Sequence, residues 1–153
     1  LGDVYKRQIY IVFVVVVVAV GALIGVNNVP GEWYQSLQKP FFNPPNWIFG
    51  PVWTALYVLI GVAGARTWIR RPMGTRMRLW FTQMVLNFLW SPIFFGMQSP
   101  AGALIVIIPM LISIVAFIAL SYRRDRISMW LFVPYAVWVA FATVLNASIG
   151  MLN

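Results

Sequence analysis

Long runs of apolar residues, separated by short polar or basic connectors, dominate the pattern along this chain. Residues 9–26 carry no charged side chain, and their length is close to the ~20 residues that an α-helix needs to cross a bilayer. Four further apolar runs follow, at 47–65, 79–97, 101–122 and 127–150. The pattern predicts an all-α membrane protein, a five-transmembrane-helix bundle built as a single domain over residues 9–153.

The first apolar run has two interpretations. A signal peptide would have an apolar core of ~7–15 residues, which is shorter than this run, so a membrane span is favoured. The preceding residues 1–8, LGDVYKRQ, do not resemble a helix start, and we interpret them as a non-native leader or a fragment edge. Gly21 and Gly25 form a GxxxG pattern, which favours close helix packing or dimerisation.

The segment between the first two runs, residues 27–46, is polar and interrupted by prolines. It contains Pro30, Pro40, Pro44 and Pro45, and proline cannot continue a helix. Long loops of this kind often act as lids or binding loops. Its aromatic content argues against a purely solvated connector, so we expect residues 27–46 to form a lid over a binding site.

Composition excludes several kinds of chemistry. The chain is 61% hydrophobic and 9% charged, with no cysteine and no histidine. Thiol chemistry and disulfides are therefore impossible, and we expect no metal site. The predicted spans contain no ionisable residue of the Asp, Glu, Lys, Arg or His types, which makes proton-coupled transport and acid–base hydrolysis unlikely functions.

The net charge of +8 comes from basic connectors between the apolar runs. A nucleic-acid patch is a conceivable use, but juxtamembrane charge explains the same distribution, so we expect no nucleic-acid partner. Ten of the eleven Lys and Arg residues belong to the N-terminal side of a five-span topology, which the positive-inside rule makes cytoplasmic. Five tryptophans near predicted span ends are expected to anchor the bundle at the lipid interface: Trp33, Trp47, Trp68, Trp80 and Trp130.

Helical spacing places the remaining aromatic and amide residues on shared faces. Gln83, Asn87 and Trp90 form one stripe, and polar side chains inside hydrocarbon need partners. A second face carries Tyr135, Trp138, Ala142 and Asn146, and a third carries Trp53 and Tyr57. Interhelical hydrogen bonding and simple packing are alternatives, but together these faces predict an apolar cavity under loop 27–46 that suits a large, flat, hydrophobic ligand.

These residues also carry a resemblance. The patterns WY..L.KPFF.PP.W.FG.VW..LY, Q...N..W...FF and PY..W.AFA..LN closely resemble the TspO/MBR family, the tryptophan-rich sensory proteins related to the mitochondrial translocator protein, or peripheral-type benzodiazepine receptor. The resemblance covers residues 9–153. It implies a five-helix membrane protein, often a homodimer, that binds protoporphyrin IX or haem and takes part in tetrapyrrole regulation, stress response and transport.

The resemblance also implies roles for individual residues. Trp53 and Trp138 match the family's candidates for porphyrin contact and for a proposed light-dependent degradation, so they would be the catalytic pair if that activity is real. The remaining ligand-binding positions implied by the motifs are Tyr57, Asn87, Trp90, Tyr135, Ala142 and Asn146 in the pocket, with Trp33 and Pro45 in the loop. After Leu145 the chain reads NASIGMLN, without the aromatic and basic residues of the sterol-recognition stretch in animal members, which favours a bacterial-type member.

The expected function is therefore an integral membrane sensor or transporter for tetrapyrroles that requires no cofactor of its own. Its porphyrin would stack on Trp53 and Trp138, with its carboxylates near the loop mouth by Lys39. A light-dependent porphyrin-degrading enzyme is one alternative. A dimeric membrane scaffold, joined through the face of Gly21 and Gly25 and without a dedicated ligand, is the other.

Overall fold

The computed structural model describes residues 2–153, and this part of the chain is almost entirely helical. The helices, in chain order, are α1 (Gly2–Asn27), α2 (Glu32–Ser36), α3 (Phe49–Arg70), α4 (Thr75–Ser91), α5 (Pro100–Arg124) and α6 (Arg126–Leu152). A 3-10 turn over Asn46–Ile48 leads into α3, and a π-helical segment over Pro92–Gly96 extends α4.

Four helices of the described chain are long and apolar enough to cross a membrane: α1, α3 with its preceding turn, α5 and α6. They contain the predicted spans 9–26, 47–65, 101–122 and 127–150, each extended by a few residues. The fifth predicted span, 79–97, differs in form. Its regular part, α4, begins earlier, at Thr75, and ends at Ser91 after 17 residues.

Proline accounts for the change of helical form at the end of α4. Pro92 has no N–H to donate within the helix, and its ring crowds the carbonyl of the preceding turn. The chain widens into a π-helical turn, in which the Met97 amide bonds the Pro92 carbonyl at 2.9 Å. Gln98 then takes a left-handed backbone conformation, with φ of 53°, and Ser99 caps α5 through a 3.0 Å bond from the Gly102 amide.

The five long helices pack in the order α1, α3, α6, α5 and α4, and α4 closes the ring against α1 and α3. Small residues let α3 lie close to its neighbours. A Cβ atom on Gly61 would come within 2.8 Å of the Val14 Cα atom of α1, and one on Gly64 within 2.4 Å of the Trp80 indole of α4. The half of α3 that follows Tyr57 is therefore tightly packed.

The position of Trp80 differs from the sequence prediction. Because Trp80 lies near a predicted span end, it was expected to be an interface anchor, but its side chain is only 3% exposed. It lies over Gly64 and donates its indole N–H to the Ile60 carbonyl at 2.9 Å. The glycine on the neighbouring helix creates the space for the indole, and a single-helix pattern does not reveal that space. Trp47 and Trp130 are exposed, as anchors would be.

Aliphatic side chains cover the outside of the bundle. Val12, Val16, Ile105, Ile112 and Val137 each expose more than half of their surface. A helix that is apolar all round is typical of a membrane span, where lipid covers the outward face. This outer surface agrees with a multi-pass integral membrane protein.

Two segments that looked irregular in the sequence contain helix. Residues 2–8 form the first turns of α1 and continue into the apolar run without a break. The predicted loop 27–46 contains the short helix α2, whose Tyr34 is 3% exposed. Tyr34 donates its hydroxyl to Asn43 Oδ1 at 3.0 Å, so this loop is folded against the bundle.

The opposite end of the bundle carries the basic connectors and one buried carboxylate. Asp125, between α5 and α6, is 4% exposed and accepts two 3.0 Å bonds from Arg66 and a bond from Ser128. Burial by itself raises the pKa of Asp125, but the hydrogen bonds from Arg66 and Ser128 and the charges of Arg66 and Arg70 outweigh it and lower the pKa to about 2. This carboxylate therefore joins α3 to the α5–α6 corner.

Candidate functional site

A cavity of about 520 Å³ lies in the half of the bundle nearer loop 27–46. Its volume falls within the range of small-molecule sites. The wall is mainly apolar and aromatic, with a few amide and hydroxyl groups. It comprises Val18, Gly21, Ala22, Ile24, Gly25, Val26, Asn28, Val29, Pro30, Tyr34, Asn46, Phe49, Gly50, Trp53, Thr54, Tyr57, Asn87, Trp90, Ser91, Phe94, Phe95, Ile107, Met110, Trp138, Ala142, Leu145, Asn146 and Ile149.

Most of the residues singled out in the sequence lie on this wall. The structure brings together seven of them from three helices, α3, α4 and α6: Trp53, Tyr57, Asn87, Trp90, Trp138, Ala142 and Asn146. Three others lie elsewhere. Trp33 packs edge-on against Phe94, with ring centroids 5.7 Å apart, Pro45 is exposed just before the 3-10 turn, and Tyr135 is fully buried behind the wall.

The buried amides form a hydrogen-bonded chain between α3, α4 and α6. Tyr57 donates its hydroxyl to Asn87 Oδ1 at 3.2 Å, and Asn87 Nδ2 donates to the Tyr135 hydroxyl at 2.7 Å. Tyr135 in turn donates to Gln83 Oε1 at 2.6 Å. Buried polar groups are costly unless they are paired, so this chain fixes the relative rotation of the helices around the cavity.

A second polar link joins α4 to α6 and α5. Trp90 donates its indole N–H to Asn146 Oδ1 at 3.0 Å, and Asn146 Nδ2 donates to the Pro100 carbonyl at 2.9 Å. Proline at position 100 begins α5. These two links show that Gln83, Asn87 and Asn146 bond across helices, while Asn87 and Asn146 also line the cavity.

Trp138 differs from the other buried polar side chains. Among residues 2–153 its Nε1 is the one buried side-chain nitrogen or oxygen without a hydrogen-bond partner. Its ring lies edge-on to Trp53, with centroids 6.4 Å apart, and near Phe49 and Phe141. An N–H without an acceptor costs about 1–3 kcal/mol when buried, so an acceptor that reached this group would stabilise the site.

The loop closes the cavity at one end. Asn28, Val29, Pro30 and Tyr34 line it, and the Tyr34 ring packs against Phe95 with centroids 5.5 Å apart. The loop also reaches the end of α6, where Asn153 Oδ1 accepts the Gln38 amide at 3.0 Å. Residues of loop 27–46 therefore form part of the cavity wall, and the role of this loop as a lid stays a prediction.

Lys39 lies outside this wall. Its ammonium group is 3.2 Å from the Leu37 carbonyl and 3.4 Å from the Gln35 carbonyl, and it lies over the Tyr34 ring at 4.7 Å. The expectation that Lys39 stands at the cavity mouth is not met, because the side chain folds back on its own loop. No Lys or Arg lines the cavity among the described residues.

Gly21 and Gly25 have different environments. Gly21 is buried, and a Cβ atom there would come within 2.3 Å of the Tyr57 ring. This glycine therefore serves contact between α1 and α3 within one chain, not a face for a second copy. Gly25 is exposed, with nothing within 4 Å of an added Cβ atom.

Sequence reasoning missed part of the wall. Phe94 and Phe95 form the FF pair that ends the pattern Q...N..W...FF. Tyr34 belongs to the WY pair that begins the pattern WY..L.KPFF. None of the three was assigned to the site. The contribution of α1, which includes Val18 and Gly21, had no signal beyond the glycine spacing. Where a helix contributes backbone to a cavity wall, the pattern of its side chains does not indicate that contribution.

Comparisons with known proteins agree with this architecture. The model of the TspO/MBR family matches residues 11–152. The chain is 44% identical over 123 residues to the tryptophan-rich protein TspO of Archaeoglobus fulgidus, covering 79% of this chain and 80% of that protein. It is 38% identical to protein CrtK of Rhodobacter capsulatus (81% and 80% covered) and 34% identical to the translocator protein of Homo sapiens (84% and 80% covered). The chain therefore belongs to the TspO/MBR family.

Proposed function

We propose that this membrane protein crosses the bilayer with five helices and binds a porphyrin, such as protoporphyrin IX or haem, in the cavity beneath loop 27–46. The fifth span is α4 with its π-helical extension, which lies in the ring between α1 and α5. Binding would make the protein a sensor or transporter in tetrapyrrole metabolism and stress response. The observation that carries the proposal is the aromatic cavity with one unpaired indole N–H.

Several features of the wall support a flat, hydrophobic ligand. Trp53, Trp90, Phe49 and Trp138 present ring surface from three helices, and aromatic faces stack on extended π-systems. The Trp138 N–H would donate to an acceptor on the ligand, such as a carboxylate or carbonyl oxygen. Since no cation lines the cavity in the described chain, porphyrin carboxylates would extend past the loop toward water.

The first test is a titration of the detergent-solubilised protein with protoporphyrin IX in the dark. The porphyrin's own absorption is the readout, because variants that lack an indole alter protein fluorescence. Ala142→Phe fills the cavity from a wall position that is 9% exposed, and we expect it to weaken binding by about tenfold or more, which corresponds to ~1.4 kcal/mol. Ala140→Phe, on the exposed face of the same helix, is the matched control and should bind as the wild type does.

Saturable binding that is lost in Ala142→Phe and weakened in Trp53→Phe and Trp138→Phe would support the proposal. Binding that does not saturate, or that is equal in all variants, would mean that the porphyrin partitions into detergent. The cavity would then have no demonstrated ligand, and a scaffold role would be the better interpretation.

A second candidate function, light-dependent porphyrin degradation, is favoured by the adjacent indoles of Trp53 and Trp138. An indole can donate an electron to a photoexcited porphyrin, which gives an indole radical cation and a porphyrin radical anion. Dioxygen from air would add to the radical anion, and the oxygenated macrocycle would return the electron to the indole as its ring opens with both oxygen atoms retained. Illuminating the bound complex in air tests this activity. Loss of porphyrin absorption at the same rate with wild type, with the Trp53→Phe and Trp138→Phe variants and without protein would rule it out.

The proposed orientation places the N-terminal side of the membrane protein in the cytoplasm, because ten of the eleven Lys and Arg residues lie on that side of the five-span topology. The chain has no cysteine, so single cysteines report topology directly. Met73→Cys, in the basic connector, and Phe41→Cys, in the loop, replace side chains that are 82% and 99% exposed. A membrane-impermeant thiol reagent applied to intact cells should label Phe41→Cys alone, and the reverse pattern would invert the topology.

A further inference from the structure

A second cleft, of about 780 Å³, lies at the end of the bundle opposite the porphyrin cavity. It is formed where α3 ends, α4 begins and α5 ends. We call it the arginine cleft, because its lining includes five arginines: Arg70, Arg71, Arg76, Arg78 and Arg124. No acidic side chain of the described residues lines it.

The carboxylate closest to this cleft is already engaged. Asp125 is bonded by Arg66 and Ser128, and Arg70 Nε lies 3.6 Å from its Oδ2. Arg70 also donates to the Arg124 carbonyl at 2.8 Å. The other arginines of the cleft have no carboxylate within ion-pair distance in residues 2–153, so the cleft carries an excess of positive charge.

Arg76 is the buried member of the cluster. The residue is 8% exposed, and its Nη1 donates to the Ser121 hydroxyl at 3.1 Å. Burying a guanidinium without a carboxylate is unfavourable. The charges of Arg70, Arg124 and Arg66 repel this guanidinium, against the attraction of Asp125. An anion in the cleft would relieve this repulsion.

The backbone favours an anion at the same place. Helix α4 begins after Gly74, and no side chain caps its first turn. Free N–H groups and the helix dipole attract anions at a helix N-terminus. Gly74 also leaves space for Arg71, because a Cβ atom there would come within 3.2 Å of the Arg71 Cγ and Cδ atoms.

We propose that the arginine cleft binds a phosphate group through Arg71, Arg76, Arg78 and the first turn of α4. Guanidinium groups bind phosphate oxygens in pairs, and a helix N-terminus adds backbone donors. Two sources carry this chemistry. An anionic phospholipid would place its headgroup in the cleft and its acyl chains along the apolar outer face of the bundle, whereas a soluble phosphate would enter from the aqueous side.

The test uses the full chain in mixed micelles, with native mass spectrometry to count retained phosphatidylglycerol against phosphatidylcholine. A calorimetric titration with pyrophosphate in the same detergent tests the soluble source. The double variant R71Q/R78Q removes two exposed arginines of the cleft. The matched control, R123Q/R126Q, removes the same charge from exposed arginines at the same end that do not line the cleft.

We expect saturable binding of phosphatidylglycerol by the wild type and by R123Q/R126Q, with less than about a twofold difference between them. R71Q/R78Q should weaken binding by more than about tenfold, since it removes the charge-assisted hydrogen bonds from two arginines of the cleft, which the control leaves in place. Binding of pyrophosphate with the same variant pattern, without a preference for phosphatidylglycerol, would assign the site to a soluble phosphate. Equal losses in both double variants, or no saturable binding of either probe, would overturn the proposal.

Discussion

The two halves of helix α3 differ in how closely they pack. From Ile60 to Thr67 most residues are buried, and Gly61 and Gly64 touch α1 and Trp80 at distances that leave no space for a methyl group. From Phe49 to Tyr57 the same helix presents aromatic rings to an open cavity. Small residues let helices approach, and large rings hold them apart.

The two ends of the bundle also differ in their polar interactions. At the tight end an ion pair between Arg66 and Asp125 joins α3 to the α5–α6 corner. At the open end neutral amides and phenols form the links, and the Trp138 N–H has no partner. One end of the bundle is therefore tightly packed and joined by an ion pair, and the other contains a cavity and an unpaired donor.

We expect the largest loss of stability from a substitution in the tightly packed half of α3. Gly61→Leu places a side chain against the Val14 backbone, which cannot move without separating α1 from α3. Overpacking of this kind costs typically 1–3 kcal/mol, and here we expect about 3 kcal/mol or more. The measurement is the Tm of the purified protein in one detergent.

The control for this prediction is Gly25→Leu. Gly25 is also helical, but it borders the open cavity and has nothing within 4 Å of an added Cβ atom. Its Tm should change little. Similar losses of Tm in both variants would show that the two halves do not differ in packing.

The second prediction concerns the ion pair at the tight end. Asp125→Asn leaves Arg66 without a charged partner and should lower the free energy of unfolding by about 2 kcal/mol, the scale of hydrogen bonds to charged groups. In a protein of this size that corresponds to a fall in Tm of roughly 4–8 °C. Thermal unfolding at pH 7 measures it.

The same carboxylate predicts a pH dependence. Because the folded-state pKa of Asp125 is lowered to about 2 from 3.8, its contribution is fully present above about pH 4 and is lost as the pH falls toward 2. The wild-type Tm should fall across this window, and the Asp125→Asn variant should lack most of that fall. Asp3→Asn, at an exposed acid, should retain the wild-type profile; a flat wild-type profile would contradict the role of the pair.

The smallest expected effect on stability is at the open end. Trp138→Phe removes an N–H that bonds nothing in the described chain, and the relief of this unpaired donor offsets the lost ring contacts, so the free energy of unfolding should change by less than about 1 kcal/mol. The matched variant is Trp80→Phe, which loses the bond to the Ile60 carbonyl and part of a buried ring. It should lower the Tm by several degrees, and equal Tm values for the two variants would remove the distinction between the ends.

Much of the cavity wall could be predicted from helical spacing. Trp138, Ala142 and Asn146 recur at intervals that place them on one face of α6, and Trp53 and Tyr57 share a face of α3. Polar and aromatic groups on the inner face of an apolar helix must meet a partner or a cavity. The sequence therefore indicated which faces turn inward, and seven of the ten predicted positions line the cavity.

The placements that helical spacing did not predict depend on contacts beyond a single helix. Tyr135 shares its face with Trp138 but ends in a hydrogen bond to Gln83 behind the wall. Lys39 folds back on the Tyr34 ring. Trp80 enters the core because Gly64 lies opposite it. Each outcome is decided by a neighbour on another element.

What the sequence determined by itself is the class of the protein, the inward faces of its helices and the basic character of one end. These follow from local chemistry, since a helix that crosses hydrocarbon bonds its backbone internally and turns apolar side chains to the lipid. The tertiary structure alone decided that α3 is tight at one half and open at the other, that Gly21 meets Tyr57, and that five arginines surround one cleft. Such features arise from the distances between helices, which the spacing along a single helix does not contain.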